Sequence, residues 1–504
     1  MPFQVGLNAL RDLGFTTKIF LFVGIHVLGF LFVTLWNRSR RLVELDLPVV
    51  GDATAPDFRE AMEEGARKFP NSPYVLPTPT GRLVILPPTL IDELRLVPES
   101  TLSSKEHHYR HFLGRWTSMG TPAPELHAAL TIDLPRNVQK VIEAARGEVD
   151  YAFNQNMPTC DDWTLVPVFP TLLRISALLI ERTWVGLPLS RQEDWVNATT
   201  SYMTDVAKAA GAIRAWPPGA RPFIAPLLPE VMSLKSNRSD VIRMIKSLIQ
   251  DQFRQGNAEK CDRPAGGELF TWIIQRYKGS ITAERVARDE LMATFSSLYT
   301  VAATFTQTLF DLAARPEYVE PLRDEIAMVL EDDSGLTQKT SFLKLKKMDS
   351  FIKESQRMSP LGLTTMMRVV MNPKGLKLSS GDVIPFGETV AGPNHAVNFS
   401  PKIYPNAAEF DGFRYSKLRE VPGNETKHQF ISTSTESINF GHGVGACPGR
   451  FFASTEIKIM LVYLLVHFDV KLPDNVGRPQ NVYTGTVCLP DMQAPVLFKK
   501  RARG

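Results

Sequence analysis

The stretch INFGHGVGACPGRFFASTE, Ile438 to Glu456, decides how the rest of the chain is read. Gly441, Gly443 and Gly445 lead up to Cys447, and Pro448 and Gly449 follow it at once. Glycine reaches backbone conformations closed to other residues and lets the main chain come close to a flat ligand. Three of them before one thiol predict a tight loop that presents the sulfur to something broad. Pro448 suits the first position of a helix, and GRFFASTEIKIMLVYLLVHF continues as a long apolar helix. Cys447 is therefore expected at a helix N-terminus, where free N–H groups and the positive end of the dipole favour a thiolate. A single sulfur on a glycine cradle suggests the axial ligand of haem iron. Spacing alone also allows a buried structural cysteine ahead of a core helix.

The bulk properties leave room for this reading. The chain has 504 residues, 44% apolar and 22% charged, which is a globular composition. A net charge of +4 with no long basic run argues against a nucleic-acid partner. The four cysteines, Cys160, Cys261, Cys447 and Cys488, lack C-x-x-C spacing, which argues against a disulfide framework and for a reducing compartment. From Ile19 to Trp36, IFLFVGIHVLGFLFVTLW carries no charge, and Arg38, Arg40 and Arg41 follow. This predicts one transmembrane anchor at 19–36, a lumenal tail at 1–18, a linker at 37–50 and a cytosolic body at 51–504.

Beyond the linker, YVLPTPTGRLVILPP reads as strand, turn and strand, and LKLSSGDVIPFGETVA as a hairpin around Ser380-Gly381. Helical periodicity begins near Leu134 and runs through FPTLLRISALLIERTWVGL and SDVIRMIKSLIQDQFRQ. Short strands return at HFDVKLPD and APVLFKKRA. The expected body is mainly α with small β-sheets. Leu291–Ala314, LMATFSSLYTVAATFTQTLFDLAA, is long and uncharged before Asp311 but holds seven serines and threonines, so we read it as the central strut of a soluble core.

FGHGVGACPGR resembles the haem-binding signature of the cytochrome P450 superfamily, F-x-x-G-x-x-x-C-x-G, with Phe440, Gly443, Cys447 and Gly449 on the fixed positions. Other pieces follow in the family's order. ESQR supplies Glu354 and Arg357 of an E-x-x-R pair, and FDGFRY resembles F-x-P-x-R-F, with Arg414 as its arginine and Gly412 in place of proline. The surrounding wording, DLAARPEYVEPLRDEI included, is similar to filamentous-fungal members that tailor secondary metabolites. The resemblance implies the P450 fold, haem bound through Cys447 with Phe440, Gly441, Gly443 and Gly449 in its loop, and a structural network of Glu354, Arg357 and Arg414. It also implies a microsomal haem-thiolate monooxygenase on the cytosolic face of the endoplasmic reticulum. Its electrons would come from a membrane-bound NADPH-dependent reductase and its substrate would be a lipophilic terpenoid, meroterpenoid or polyketide.

Two departures from the family pattern bear on function. The residue two before the cysteine, commonly an arginine or histidine paired with a haem propionate, is Gly445, which leaves Arg368 as the expected propionate partner; a solvent-facing loop position is the reading for His442. The oxygen-activating motif of the long helix aligns as Ser296, Ser297, Leu298, Tyr299, Thr300. Thr300 is the expected proton-relay hydroxyl, and Tyr299 stands where the family carries an acid. Leu361–Met367, residues near Leu298 and TGTVCLP are expected to line the pocket. His107 and His111 have helical i,i+4 spacing but no glutamate base to complete a metalloprotease motif. Two other readings remain: a haem-thiolate isomerase or dehydratase that needs no reductase, and a non-enzymatic membrane haem protein.

Overall fold

The computed structural model describes residues 45–256, 267–332 and 336–502, together with residues 14, 17, 23, 24, 26, 27 and 29. Most of the apolar span 19–36, much of the linker and Cys261 lie outside the described residues. Among the described residues no helix is long and apolar enough to cross a membrane.

The principal helices are α1 (Ser104–His111), α2 (Val138–Asn156), α3 (Val168–Trp184), α4 (Glu193–Arg214), α5 (Pro229–Gly256), α6 (Ala283–Ala313), α7 (Lys346–Met358) and α8 (Arg450–His467). Helix α6 contains the expected segment from Leu291 to Ala313, with Ala314 as its C-cap, and it is a strut. Thr282 caps it by accepting from the Arg285 N–H at 3.3 Å. It packs against α3, α4, α5, α7 and α8. Its residues from Val301 to Leu312 are all buried, Thr304, Thr306, Gln307, Thr308 and Asp311 among them. The serines and threonines therefore serve the interior of a helical body. Helix α8 lies in the same core, with Trp184 of α3 stacked on Phe452, ring centroids 4.4 Å apart.

The strands are short and peripheral. A five-stranded sheet runs in the order β1 (Tyr74–Thr78), β2 (Gly81–Ile85), β8 (Thr389–Gly392), β5 (Thr365–Val370), β3 (Leu102–Ser103). β1 and β2 form the strand–turn–strand read from the sequence, and β6 (Leu376–Lys377) with β7 (Val383–Ile384) forms the hairpin around Ser380-Gly381. β9 (Phe468–Lys471) and β4 (Thr164–Pro167) flank β12 (Pro495–Lys500), and β10 (Val482–Thr484) pairs with β11 (Val487–Leu489). The ladder between β5 and β8 is irregular between Thr365 and Arg368. Met366, inside that bulge, has φ +54°, a conformation non-glycine residues seldom adopt. A bulge of this kind re-aims the side chains beside it, and Arg368 is one of them.

The core carries unpaired acid. Both carboxyl oxygens of Glu290 on α6 are buried with no hydrogen-bond partner among the described residues. Burial raises this carboxyl well above its ordinary range, and the charges of Glu181 and Asp289 add to the effect. Glu181 accepts from Trp195 Nε1 at 2.9 Å and Thr294 Oγ1 at 2.7 Å, yet burial still pushes it up to about 7 from 4.5. A carboxyl raised in the fold favours the protonated native state. Its contribution is complete below the unfolded value near 4.5 and is lost as pH rises through the folded value. The thermal midpoint should therefore fall between pH 5 and pH 8, and Glu290→Gln should flatten that fall. A fall of equal slope in the variant, followed by circular dichroism, would place the titration elsewhere.

Candidate active site

The cysteine loop is built by close backbone approach. The Cys447 N–H donates to the Phe440 carbonyl at 2.7 Å, Ala446 N–H to Gly443 O at 3.0 Å, and Gly441 N–H to Ile438 O at 2.8 Å. Gly441 and Gly443 have φ of +70° and +71°, which only glycine holds without strain. At Gly443 space is also exhausted: a Cβ would lie 2.6 Å from Arg95 Cα, and the neighbouring Val444 N–H donates to Arg95 O at 2.8 Å. Phe440 sets its ring edge-on to Phe430, centroids 5.2 Å apart.

Helix α8 starts at Arg450, not at Pro448, with Gly449 as its N-cap. The thiol still lies at that terminus. The N–H groups of Gly449 and Arg450 and the Arg450 charge all favour the thiolate, but burial outweighs them and holds the Cys447 thiol above its ordinary value. The expectation of a thiolate prepared by the helix alone is thus corrected: desolvation wins. The sulfur is free, and Gly449 leaves space beside it, a Cβ there standing 3.9 Å from Sγ. A metal bound to the sulfur ionises it outright.

The structure brings Glu354, Arg357 and Arg414 together. Arg357 on α7 donates to Glu354 through Nε at 2.9 Å and Nη2 at 2.8 Å. Arg414 Nε lies 3.2 Å from both carboxylate oxygens, and the Asp411 N–H donates at 3.0 Å. Glu354 and Arg357 are fully buried. The spare Arg357 N–H groups reach the carbonyls of Asn398 and Ala407, each at 2.7 Å.

The residues fit a flat anionic macrocycle carrying iron. Ser296 and Thr300, one helical turn apart, are exposed ahead of the fully buried stretch Val301–Leu312, which leaves an open strip on α6. A free thiol stands on a glycine loop that closes against the core. Arg368 is a buried cation, 3% exposed, whose guanidinium donates to the Leu94 and Val97 carbonyls and is favoured by the charge of Glu99. Comparison with known proteins agrees. The cytochrome P450 family model matches residues 185–497. The chain is 43% identical over 445 residues to the cytochrome P450 monooxygenase ataF of Aspergillus terreus, a match that covers 88% of this chain and 90% of that protein. It is 38% identical over 492 residues to the monooxygenase gliF of Aspergillus fumigatus, covering 96% and 98%, and 36% identical over 505 residues to ascG of Acremonium egyptiacum, covering 93% and 94%.

The chain belongs to the cytochrome P450 family. It is a haem-dependent monooxygenase, similar over most of its length to fungal P450s.

Within this P450 the remaining candidates fall as follows. Thr300 Oγ1 donates back to its own helix, to Ser296 O at 3.0 Å and Ser297 O at 2.9 Å, with its open side to the strip. Tyr299 turns the other way. Its hydroxyl bridges to α4, 3.0 Å from Thr204 Oγ1 and 3.2 Å from Thr200 O. There it lines a polar cavity of about 1150 Å³ with Ser201, Asp205 and Asn237. Leu298 is core, 1% exposed. Leu361 packs with Phe169, Ala302 and Ala303, and the segment after it is stitched to TGTVCLP: Leu363 N–H donates to Thr486 O at 2.7 Å and Cys488 N–H to Leu361 O at 3.1 Å. Leu363, Met366 and Met367 belong to packed clusters, not to the wall of that cavity. His442 is half-buried beside Thr433, its Nδ1 3.2 Å from Oγ1, rather than free in solvent. His107 and His111 stack at 5.6 Å, burial lowers His107 to about 3, His111 is exposed, and no metal-holding cluster occurs among the described residues.

Two residues escaped sequence reasoning. Arg450 donates from Nη1 to Cys447 O at 2.7 Å, and its charge favours the thiolate. Arg478 binds Asp311 Oδ1 at 2.6 Å, Gln307 at 2.8 Å and Ser359 at 3.0 Å, so it joins α6 to the segment after α7. The proximity of Arg450 to the cysteine was available as a signal, but Arg478 has no local pattern. Removing one partner of a buried ion pair strands the other, at a cost of roughly 3–5 kcal/mol. Arg357→Ala should therefore lower unfolding free energy by about that amount. A loss below about 1 kcal/mol in urea titration would show that Glu354 is served by Arg414 alone.

Proposed function

We propose that this P450 is a microsomal haem-thiolate monooxygenase that oxidises a lipophilic secondary metabolite, terpenoid or meroterpenoid in the first instance and polyketide as the alternative. In this reading residues 19–36 anchor it in the endoplasmic reticulum with the body in the cytosol, and an NADPH-dependent flavoprotein reductase supplies electrons. The uncharged run before Arg38, Arg40 and Arg41 supports the anchor and its orientation.

The observation that carries the reading is the free Cys447 thiol at the N-terminus of α8, on a glycine loop that has no room for a side chain at Gly443. Haem, when bound there, supplies dioxygen activation, and a thiolate ligand pushes electron density toward O–O cleavage. The chain's own residues do the rest. The N–H groups of Gly449 and Arg450 hold charge on the sulfur. Thr300, already satisfied by two carbonyls of its own helix, offers its hydroxyl oxygen as an acceptor to the open strip, and exchanging those bonds lets it pass a proton. Tyr299 is tied to α4, so it positions that helix against α6 and leaves the last proton step to Thr300 and water.

Cys447→Ser should abolish the red-shifted Soret band of the reduced carbon monoxide complex. A spectrum identical to wild type would reject the ligand assignment. Thr300→Ala should uncouple NADPH consumption from product, with several-fold more peroxide released per turnover. Unchanged coupling would move the relay to solvent. Metabolite profiles of a strain lacking the gene identify the substrate class; accumulation of a hydrophilic precursor would overturn the lipophilic assignment.

A further inference from the structure

Between α7 and α8 the interior holds more cations than carboxylates. Lys353 on α7, Lys458 on α8 and Arg419 on the short helix Arg414–Glu420 are 4%, 4% and 6% exposed. Asp349 on α7, itself buried, is the acid among them. Its Oδ1 receives Lys458 Nζ, and its Oδ2 accepts the Phe430 N–H at 2.8 Å and stands 3.6 Å from Arg419 Nη1. Glu325 also acts on Lys458, but it is committed to the Lys347 and Met348 N–H groups at 2.6 and 2.9 Å, and burial holds it above the ordinary carboxylate range. Lys353 donates to the Gln429 carbonyl at 2.9 Å and lies over the Tyr415 ring, and burial lowers it to about 8 from 10.5. Positive charge buried in this way is costly unless an anion joins it.

A cavity of about 50 Å³ opens into this cluster, with Asp349, Arg419, Gln429, Ser454, Thr455 and Lys458 in its wall. That is several times the ~10–15 Å³ that one water needs. Arg419 spends Nε on the Glu425 carbonyl at 3.2 Å, while neither Nη1 nor Nη2 makes a hydrogen bond among the described residues. The buried Ser454 hydroxyl on α8 is likewise without a partner among the described residues. Thr455 Oγ1, by contrast, is bound to the Phe451 carbonyl at 3.0 Å. Both Asp349 oxygens are taken by donors of their own, so the wall carries a filled acceptor and unfilled donors. A planar guanidinium fork beside an ammonium and a hydroxyl matches the geometry of an oxyanion.

We propose that this cavity binds a tetrahedral oxyanion, inorganic phosphate in the cell, held by Arg419 Nη1 and Nη2 with Lys458 and the Ser454 hydroxyl. The anion ties α8, the helix that starts beside Cys447, to α7 and to the segment that sets Phe430 against Phe440. The site goes beyond the oxygenase reading and does not draw on it, since none of its residues is assigned to haem, oxygen or substrate.

The test is calorimetric titration of inorganic phosphate into the purified, haem-loaded full chain, with ionic strength held constant by chloride. Wild type should show one saturable site per chain, for which sulfate competes. Its thermal midpoint should rise with phosphate and stay level with chloride. Arg419→Gln should weaken phosphate binding roughly tenfold or more, the consequence of losing two charge-assisted hydrogen bonds, and should abolish the phosphate-dependent rise. Ser454→Ala should weaken binding by a smaller factor. Absence of a saturable heat overturns the site, and so does an equal rise with chloride, which would reduce the effect to general screening. Wild-type phosphate affinity in Arg419→Gln overturns it too; if that variant is instead reduced more slowly by a flavoprotein reductase, the cations serve a docking protein's carboxylates. Should Arg419→Gln not be recovered folded, Ser454→Ala and Gln429→Ala decide, and unchanged affinity in both rejects the proposal.

Discussion

Everything in the site is referred back to one buried negative charge. Glu354 is fully buried and must be compensated. Arg357, Arg414 and the Asp411 N–H do this. The arginines have more donors than one carboxylate uses, and the surplus binds the carbonyls of Asn398, Pro405, Ala407 and Glu409. The segment between Asn398 and Arg414 is therefore fixed by what the charge leaves over. From Asn398 the constraint passes on: its side chain and that of Asn439 exchange hydrogen bonds at 3.0 and 3.1 Å, and Asn394 adds a third at 3.0 Å. Asn439 precedes Phe440, whose carbonyl receives the Cys447 N–H. A charge on α7 thus sets where the sulfur begins its loop.

The two glycines that depart from the family pattern share a physical explanation. At Gly412, where the resemblance leads one to expect proline, a Cβ would lie 2.7 Å from Tyr318 Cε1 and 2.7 Å from Phe351 Cδ2. The Gly412 N–H donates to the Tyr318 hydroxyl at 3.1 Å, a bond proline has no hydrogen to make. At Gly445 the intruder is Arg368. In both places a neighbour's large side chain has taken the volume that the expected residue would need. What looks like loss of a motif position in one dimension is, in space, a transfer of the same volume to a different residue.

This explains what the sequence made legible and what it did not. Cys447, Gly443, Glu354 and Arg357 could be read because they fall on the fixed positions of motifs the chain resembles; locally, Gly443 needs a φ other residues seldom reach, but the three-residue spacing of Glu354 and Arg357 alone suits a solvated pair equally well. The long helices and the hairpins were legible locally, their periodicity and turn residues being contained in short windows. The start of α8 was misplaced by two residues because Pro448 and Gly449 both suit a helix entrance and only the cap geometry chooses. The direction of Tyr299 was illegible, since it depends on Thr200 and Thr204 of another helix. Arg478, which meets Asp311 across 167 positions, left no local trace at all.

The raised thiol adds a thermodynamic link between cofactor and fold. Burial holds the Cys447 proton on, while the N–H groups of Gly449 and Arg450 and the Arg450 charge are aimed to hold a negative sulfur. Without iron these two influences oppose each other, and desolvation prevails. A metal held by Cys447 would favour the ionised sulfur, and the N–H groups of Gly449 and Arg450 would then support the same charged form. A thiol that must be deprotonated to ligate would couple metal binding to proton release. Arg450 is central to that balance, since Nη1 fixes the Cys447 carbonyl while its charge favours the ionised sulfur. The same desolvation that resists ionisation of the free thiol strengthens every electrostatic contact to the sulfur once it is charged.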